Sequence, residues 1–246
     1  MPAKAEIQDA CVSTRCLRRM ERAAEFAFRR RQIFAFSGRT GIGKTRAVAH
    51  LNETLTVPHL LLRCRAITTR GEILDAFASY FSVPRWTAGR YTSNSRLYPL
   101  LGARLRDEQT LIIFDEADRL QDATFELLRD FFDEYQLAIL LVGNEGLEAK
   151  IDLQLERLAR RIHRWPEPDL KKEEMRAIDG AKGWRLNDEE FDLLWKTSGG
   201  SPGWWEAIIM VAEDVAEQNG VPRNARAILT AINEVPKARK RWSADK

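Results

Sequence analysis

The sequence predicts an α/β fold, a parallel sheet covered by helices on both faces, followed by a small all-helical appendage. Three observations predict it. Short apolar runs alternate with amphipathic stretches through the first two thirds of the chain, the pattern of strands buried on both faces. The alternation stops at the Pro-rich joint "WPEPDL" (165–170), and every later segment has helical spacing. The chain has 246 residues, 44% of them hydrophobic, enough to bury the core of one large domain with an appendage.

Taken in order, residues 1–31 read as a basic helical lead-in, with eight Lys/Arg against four acids. Leu17, Met20, Ala24 and Phe28 recur there at helical spacing, so one face can pack. The runs "IFAFS" (33–37), "HLLLRC" (59–64), "TLIIF" (110–114) and "LAILLV" (137–142) read as strands. Between them "KTRAVAHLNETL", "RGEILDAFASYF" and "ATFELLRDFFDEY" read as helices. The α/β core is therefore placed at 32–166 and the helical subdomain at 167–235, with Asn187 and Glu190 as a capping box. Residues 236–246, "PKARKRWSADK", are expected to form a frayed basic tail.

Composition excludes several classes. No apolar run approaches the ~20 residues that span a bilayer, and the N-terminus has no apolar core of a signal peptide. Cys11, Cys16 and Cys64 form neither a metal pattern nor a disulfide framework, which fits reduced thiols and a cytoplasmic protein. A net charge of +3 says little about nucleic acid, so the distribution of charge has to decide.

The chemistry starts at "GRTGIGKT", Gly38 to Thr45, a full match to the phosphate-loop pattern placed between a strand and a helix. Gly38, Gly41 and Gly43 let backbone N–H groups turn toward phosphate oxygens, and the helix N-terminus adds favourable dipole charge. Arg39, Thr40, Ile42 and Arg46 complete the nucleotide-binding segment. Lys44 is placed to reach the β- and γ-phosphates of ATP, and Thr45 to ligate Mg²⁺. In "LIIFDEADRL", four apolar residues bring Asp115 to the end of a buried strand, where parallel sheets bind ligands. Asp115 is expected to hold the Mg²⁺ shell with Thr45, and Glu116 to polarise the attacking water; Asp118 caps or pairs locally. Asn144, after the next strand, either reaches the γ-phosphate and the water or is an ordinary turn residue. Arg157, Arg160, Arg161 and Arg164 crowd "LERLARRIHRW" (155–165). Their spacing fits a solvated basic face and an arginine finger for a neighbouring subunit equally well.

These motifs in this order, with "RLARRIHR" and "SPGWWEAIIMVAEDVAEQNG" behind them, resemble an AAA+ ATPase. Within that superfamily the sequence is most similar to transposition target-selection ATPases of the phage Mu B type. The resemblance implies a five-stranded parallel sheet sandwiched by helices, with a C-terminal helical lid. It implies an ATP- and Mg²⁺-dependent ATPase that assembles head to tail on duplex DNA, as a filament or ring, and contacts a transposase. Carried over by position, Lys44 and Thr45 are the phosphate-loop pair, Asp115 and Glu116 the hydrolytic pair, Asn144 a sensor, and Arg157 and Arg161 the finger candidates. Two departures stand out. Glu206 occupies the lid position where a sensing arginine is expected, and residues 1–30 leave no room for an N-terminal helix-turn-helix module.

Two stretches, 57–71 and 82–106, contain arginines and no acid. The resemblance implies that loops after the second strand and before the Asp-Glu strand line the inner surface of the assembly, which makes Thr68, Thr69, Arg70, Arg85 and Arg90 the expected DNA contacts; arginine and hydroxyl groups suit phosphate oxygens without reading sequence. Trp86 and Tyr91 could stack on a base or sugar, but core or loop packing weighs more. Arg104 and Arg106 are expected on a solvated helix face. A competing reading is a regulatory ATPase, similar to STAND proteins, that recruits a protein partner by nucleotide state without DNA. The lack of a DNA-reading module and the low net charge motivate it.

Overall fold

The apolar runs form a single parallel sheet. The structure, a computed structural model, describes residues 12–87, 90–154, 162–167, 169–198 and 200–244. Helix α1 (Arg15–Arg30) leads into β1 (Ile33–Gly38), α2 (Lys44–Thr54), β2 (His59–Arg63) and α3 (Arg70–Tyr80). A hairpin of β3 (Trp86–Thr87) and β4 (Arg90–Tyr91) precedes α4 (Asn94–Asp107). Then come β5 (Leu111–Asp115), a 3-10 turn (Ala117–Arg119), α5 (Asp122–Tyr135), β6 (Ala138–Gly143), α6 (Glu145–Gln154) and β7 (Ile162–Glu167). The sheet order is β2-β5-β6-β1-β7, every pair parallel.

β1, β5 and β6 are buried at every position, which is why they read as unbroken apolar runs. β7 lies at an edge with exposed His163 and Pro166, so its run is mixed. Each crossover returns the chain to the same sheet end. The C-terminal ends of β1, β2, β5 and β6 therefore present Gly38, Arg63, Asp115 and Gly143 together.

The chain divides into two units: Leu17–Arg39 with Lys44–Glu167, and Met1–Cys16 with Thr40–Gly43 and Pro168–Lys246. The second half of the basic lead-in, from Leu17 on, belongs to the first of these. Leu17, Met20, Ala23, Ala24 and Ala27 are fully buried, and Arg19 pairs with the buried Glu167 at 3.2 Å at the end of β7. The second unit holds α7 (Lys172–Lys182), α8 (Asp188–Ser198), α9 (Pro202–Gln218) and α10 (Ala225–Ala244) around Phe191 and Trp205. Asn187 and Glu190 do form the capping box that opens α8, with bonds of 3.0 and 2.9 Å. The expected frayed tail is instead helical to Ala244. Pro236 forfeits one hydrogen bond, and the Ala, Lys and Arg around it favour helix. Among the described residues, no helix is long and apolar enough to cross a membrane.

Candidate functional site

The phosphate loop leaves β1 at Gly38 and re-enters helix at Lys44. Gly41 and Gly43 have φ of +90° and +97°, values that only glycine adopts without strain. A Cβ built at Gly43 would meet nothing within 4 Å, so open space lies beside the loop at that point. The Lys44 ammonium donates to the carbonyls of Gly38 (2.6 Å) and Arg39 (2.7 Å), positions from which phosphate oxygens can take it over. Thr45 hydrogen-bonds the Asp115 carboxylate, so the two expected metal ligands meet. Asp115 is 5% exposed. Burial raises its carboxyl above the ordinary value, opposed by the Glu116 N–H, the charge of Arg63 and the Thr45 bond. This cradle, its lone ammonium and the hydroxyl–carboxylate pair fit a nucleoside triphosphate with a divalent cation.

Glu116 adopts the left-handed conformation, φ 57° and ψ 39°, a strained choice for a non-glycine residue. Its carboxylate is caged by two arginines. Arg63, the last residue of β2, approaches one oxygen at 3.5 Å, and Arg119 the other at 3.0 Å. Asn144 is brought to the same sheet end and held there. Asp118 accepts its backbone N–H at 3.0 Å and its side-chain amide at 2.9 Å. That approach needs Gly143, where a Cβ would come within 2.8 Å of the Asp118 oxygen. Sequence reasoning left Asp118 with a local role and missed Arg63 and Arg119 as partners of Glu116. The i+3 spacing of Glu116 and Arg119 could have signalled one; Arg63 is found only through the β2–β5 register.

Arg157 and Arg161 lie outside the described residues. Arg164 is engaged within its unit, with Asp152 at 2.6 Å and Glu148 at 3.5 Å. In the helical unit the loop tip meets α9. A Cβ at Gly41 would fall 2.3 Å from the Ser201 hydroxyl, and one at Gly203 would lie 4.0 Å from the Gly41 Cα. Glu206, the residue expected at the sensing position, pairs with Lys182 at 3.1 Å instead. Ser201 and Gly203 are what α9 presents to the loop.

The expected DNA contacts fall on neighbouring segments of the first unit. Arg70 and Arg90 are exposed. The Thr68 hydroxyl accepts the Arg65 N–H at 2.8 Å, and Thr69 caps α3 in a box with Glu72. Arg85 has a different job from the expected one: its side chain is 14% exposed and its guanidinium is committed to Asp75, the Thr92 carbonyl and Asn94. Arg104 pairs with Glu108, and Arg106 stacks on Tyr135, as a helix-face reading requires.

A phosphate loop at β1, a carboxylate pair at β5 and an amide after β6, on a sheet of this order, define a P-loop nucleoside triphosphatase. More narrowly, the chain belongs to the AAA domain family, whose model matches residues 28–151, half of the chain. It is an AAA+ ATPase. The ATP-dependent target DNA activator B of Escherichia phage Mu is 27% identical over 193 residues, covering 74% of this chain and 59% of that protein. The Mu-like prophage FluMu DNA transposition protein B of Haemophilus influenzae is 25% identical, covering 58% and 48%. The chain thus spans about half to three fifths of the curated relatives it matches. Among solved structures, the Aeropyrum pernix ORC2 protein superposes with a TM-score of 0.61 at 18% identity, over 88% of this chain and 67% of that one. At that identity the likeness is one of fold.

Proposed function

We propose that the chain is an ATP-dependent, sequence-tolerant DNA-binding ATPase that assembles head to tail on duplex DNA and presents it to a transposase. The observation that carries this reading is the arginine-bearing edge beside the nucleotide residues. Arg65, Arg70, Arg90 and Arg96 are all exposed on segments without a carboxylate, in a chain similar to a target DNA activator. Guanidinium groups spaced this way bind phosphates and release counterions without reading bases.

At the nucleotide, Lys44 and the backbone N–H groups of residues 41–46 hold the phosphates. Thr45 and Asp115 would hold Mg²⁺, which neutralises phosphate charge when bound. Glu116 accepts a proton from water once it leaves its arginine partners, and Asn144, fixed by Asp118, orients the same water. Arg157 and Arg161 serve the nucleotide of a neighbouring subunit. β2 joins the two functions, because Arg63 pairs with Glu116 while Arg65, on the loop that follows, and Arg70, at the start of α3, face DNA in this reading.

The test is assembly. With a non-hydrolysable ATP analogue, electron micrographs should show filaments on duplex DNA and none with ADP, and affinity should fall steeply with salt. Particles indifferent to DNA would favour the regulatory ATPase instead. No DNA binding at any nucleotide state would end the proposal.

A further inference from the structure

The β3–β4 hairpin carries two large aromatic side chains into solvent. Trp86 is 66% and Tyr91 54% exposed. They face each other across the strand pair, ring centroids 5.5 Å apart and planes at 68°. Neither packs into a core; the two rings pack on each other within the hairpin, the loop half of the core-or-loop packing weighed from sequence.

Such a short hairpin is not stable on its own. Arg85 anchors it. The guanidinium pairs with Asp75 of α3, donates to the Thr92 carbonyl (3.1 Å) and the Asn94 side chain (3.0 Å), reaches the Gly71 carbonyl (3.5 Å), and lies 5.2 Å from the Tyr91 ring. Thr92 closes the base by donating to the Arg85 carbonyl at 2.7 Å. Arg85 thereby fixes the aromatic pair beside the first turn of α3, which Arg70 opens, next to the loop that bears Arg65 and the 69% exposed Ile67.

We propose that Trp86 and Tyr91 form an aromatic contact to DNA, packing on sugars and base edges while Arg70 and Arg90 take the phosphates. The inference rests on the DNA-binding reading above. DNA is favoured over a second copy of the chain by charge: residues 82–106 contain five arginines and no acid. Rings contribute affinity to nucleic acid without sequence preference, because every nucleotide offers a flat face or a sugar.

The full chain is titrated with a labelled mixed-sequence duplex and a non-hydrolysable ATP analogue across a salt series. Trp86→Ala and Tyr91→Ala should each weaken binding by roughly ten-fold, with the salt slope unchanged because no phosphate contact is lost. Arg90→Ala should lower that slope by about one. Binding of a fluorescent ATP analogue should be unaffected in all three. As a measurement independent of the alanine variants, the emission difference between the parent and Trp86→Phe should be quenched by duplex. If the double alanine variant binds duplex like the parent, or duplex leaves the Trp86 emission unchanged, the aromatic contact is wrong while the DNA reading stands. If the parent binds no DNA, both fall. If the double variant loses ATP-dependent self-association without DNA, the pair is a contact between copies and the proposal is overturned.

Discussion

Glu116 sits in a strained backbone conformation with each carboxylate oxygen facing an arginine, so the residue expected to activate water is engaged elsewhere. Two substitutions separate its roles. Glu116→Gln should leave nucleotide affinity within about two-fold and lower kcat by roughly 10²-fold or more, as loss of a general base does. Arg63→Ala should raise basal hydrolysis several-fold and reduce any stimulation by DNA, read in a steady-state phosphate-release assay. A fall in basal rate would mean that Arg63 serves the nucleotide rather than restraining Glu116. Cys64 reports on the same corner. Burial, then the charges of Asp115, Asp118 and Glu116, push its thiol up to about 12 from 9.0. The native state thus holds the proton that the unfolded state releases, and stability falls as pH rises from 9.0 toward 12. Between pH 8 and pH 10 the loss from this group is about 1.4 kcal/mol. Urea unfolding across that range should show Cys64→Ala losing less stability than the parent.

At the scale of elements, α3 has a cap on which the neighbouring loop depends. Thr69 accepts the Glu72 N–H at 3.3 Å, and Glu72 accepts the Thr69 N–H at 2.7 Å. Thr69→Ala should cost about 1 kcal/mol, visible as a lower Tm. If Thr69 also contacts DNA, affinity should fall further than Thr69→Ser allows, since serine keeps both the hydroxyl and the cap. Elements whose own residues enforce them were legible in the sequence. The four mainly apolar runs, α2, α3 and α5 follow from periodicity alone. Those that depend on distant partners were not. The two-residue strands of the hairpin carry no periodic signal and exist through Arg85. Helix α4 contains Pro99 and has no acid in its first turn, yet forms by burying Leu97, Leu101 and Leu105. The candidate site divides the same way. Lys44, Thr45, Asp115 and Glu116 are fixed by local motifs. The grip of Asp118 on Asn144, and that of Arg63 on Glu116, join strands that only the sheet order makes neighbours.

For the whole molecule, the question is whether one chain completes its own nucleotide site. Among the described residues, Arg63 and Arg119 at this sheet end are engaged with Glu116, and Arg164, in the middle of β7, with Asp152 and Glu148. Glu206 supplies no positive charge where a sensing arginine is expected. Lys44 then faces the charge that develops on the transferred phosphate, and in the proposed head-to-tail assembly Arg157 or Arg161 of the next subunit would share it. This predicts complementation. Lys44→Ala subunits bind no nucleotide but keep their arginines; subunits with both Arg157→Ala and Arg161→Ala bind nucleotide but lack the finger. Each alone should be inactive on DNA. In an equal mixture at most about one interface in four pairs an intact loop with an intact arginine, fewer where nucleotide-free subunits enter the assembly poorly, so hydrolysis should return to no more than about a quarter of the parental rate. Parental hydrolysis by the arginine variant alone would show that the site is complete within one chain. A mixture that stays inactive, although both variants still enter the same assemblies, would place the missing charge on another residue.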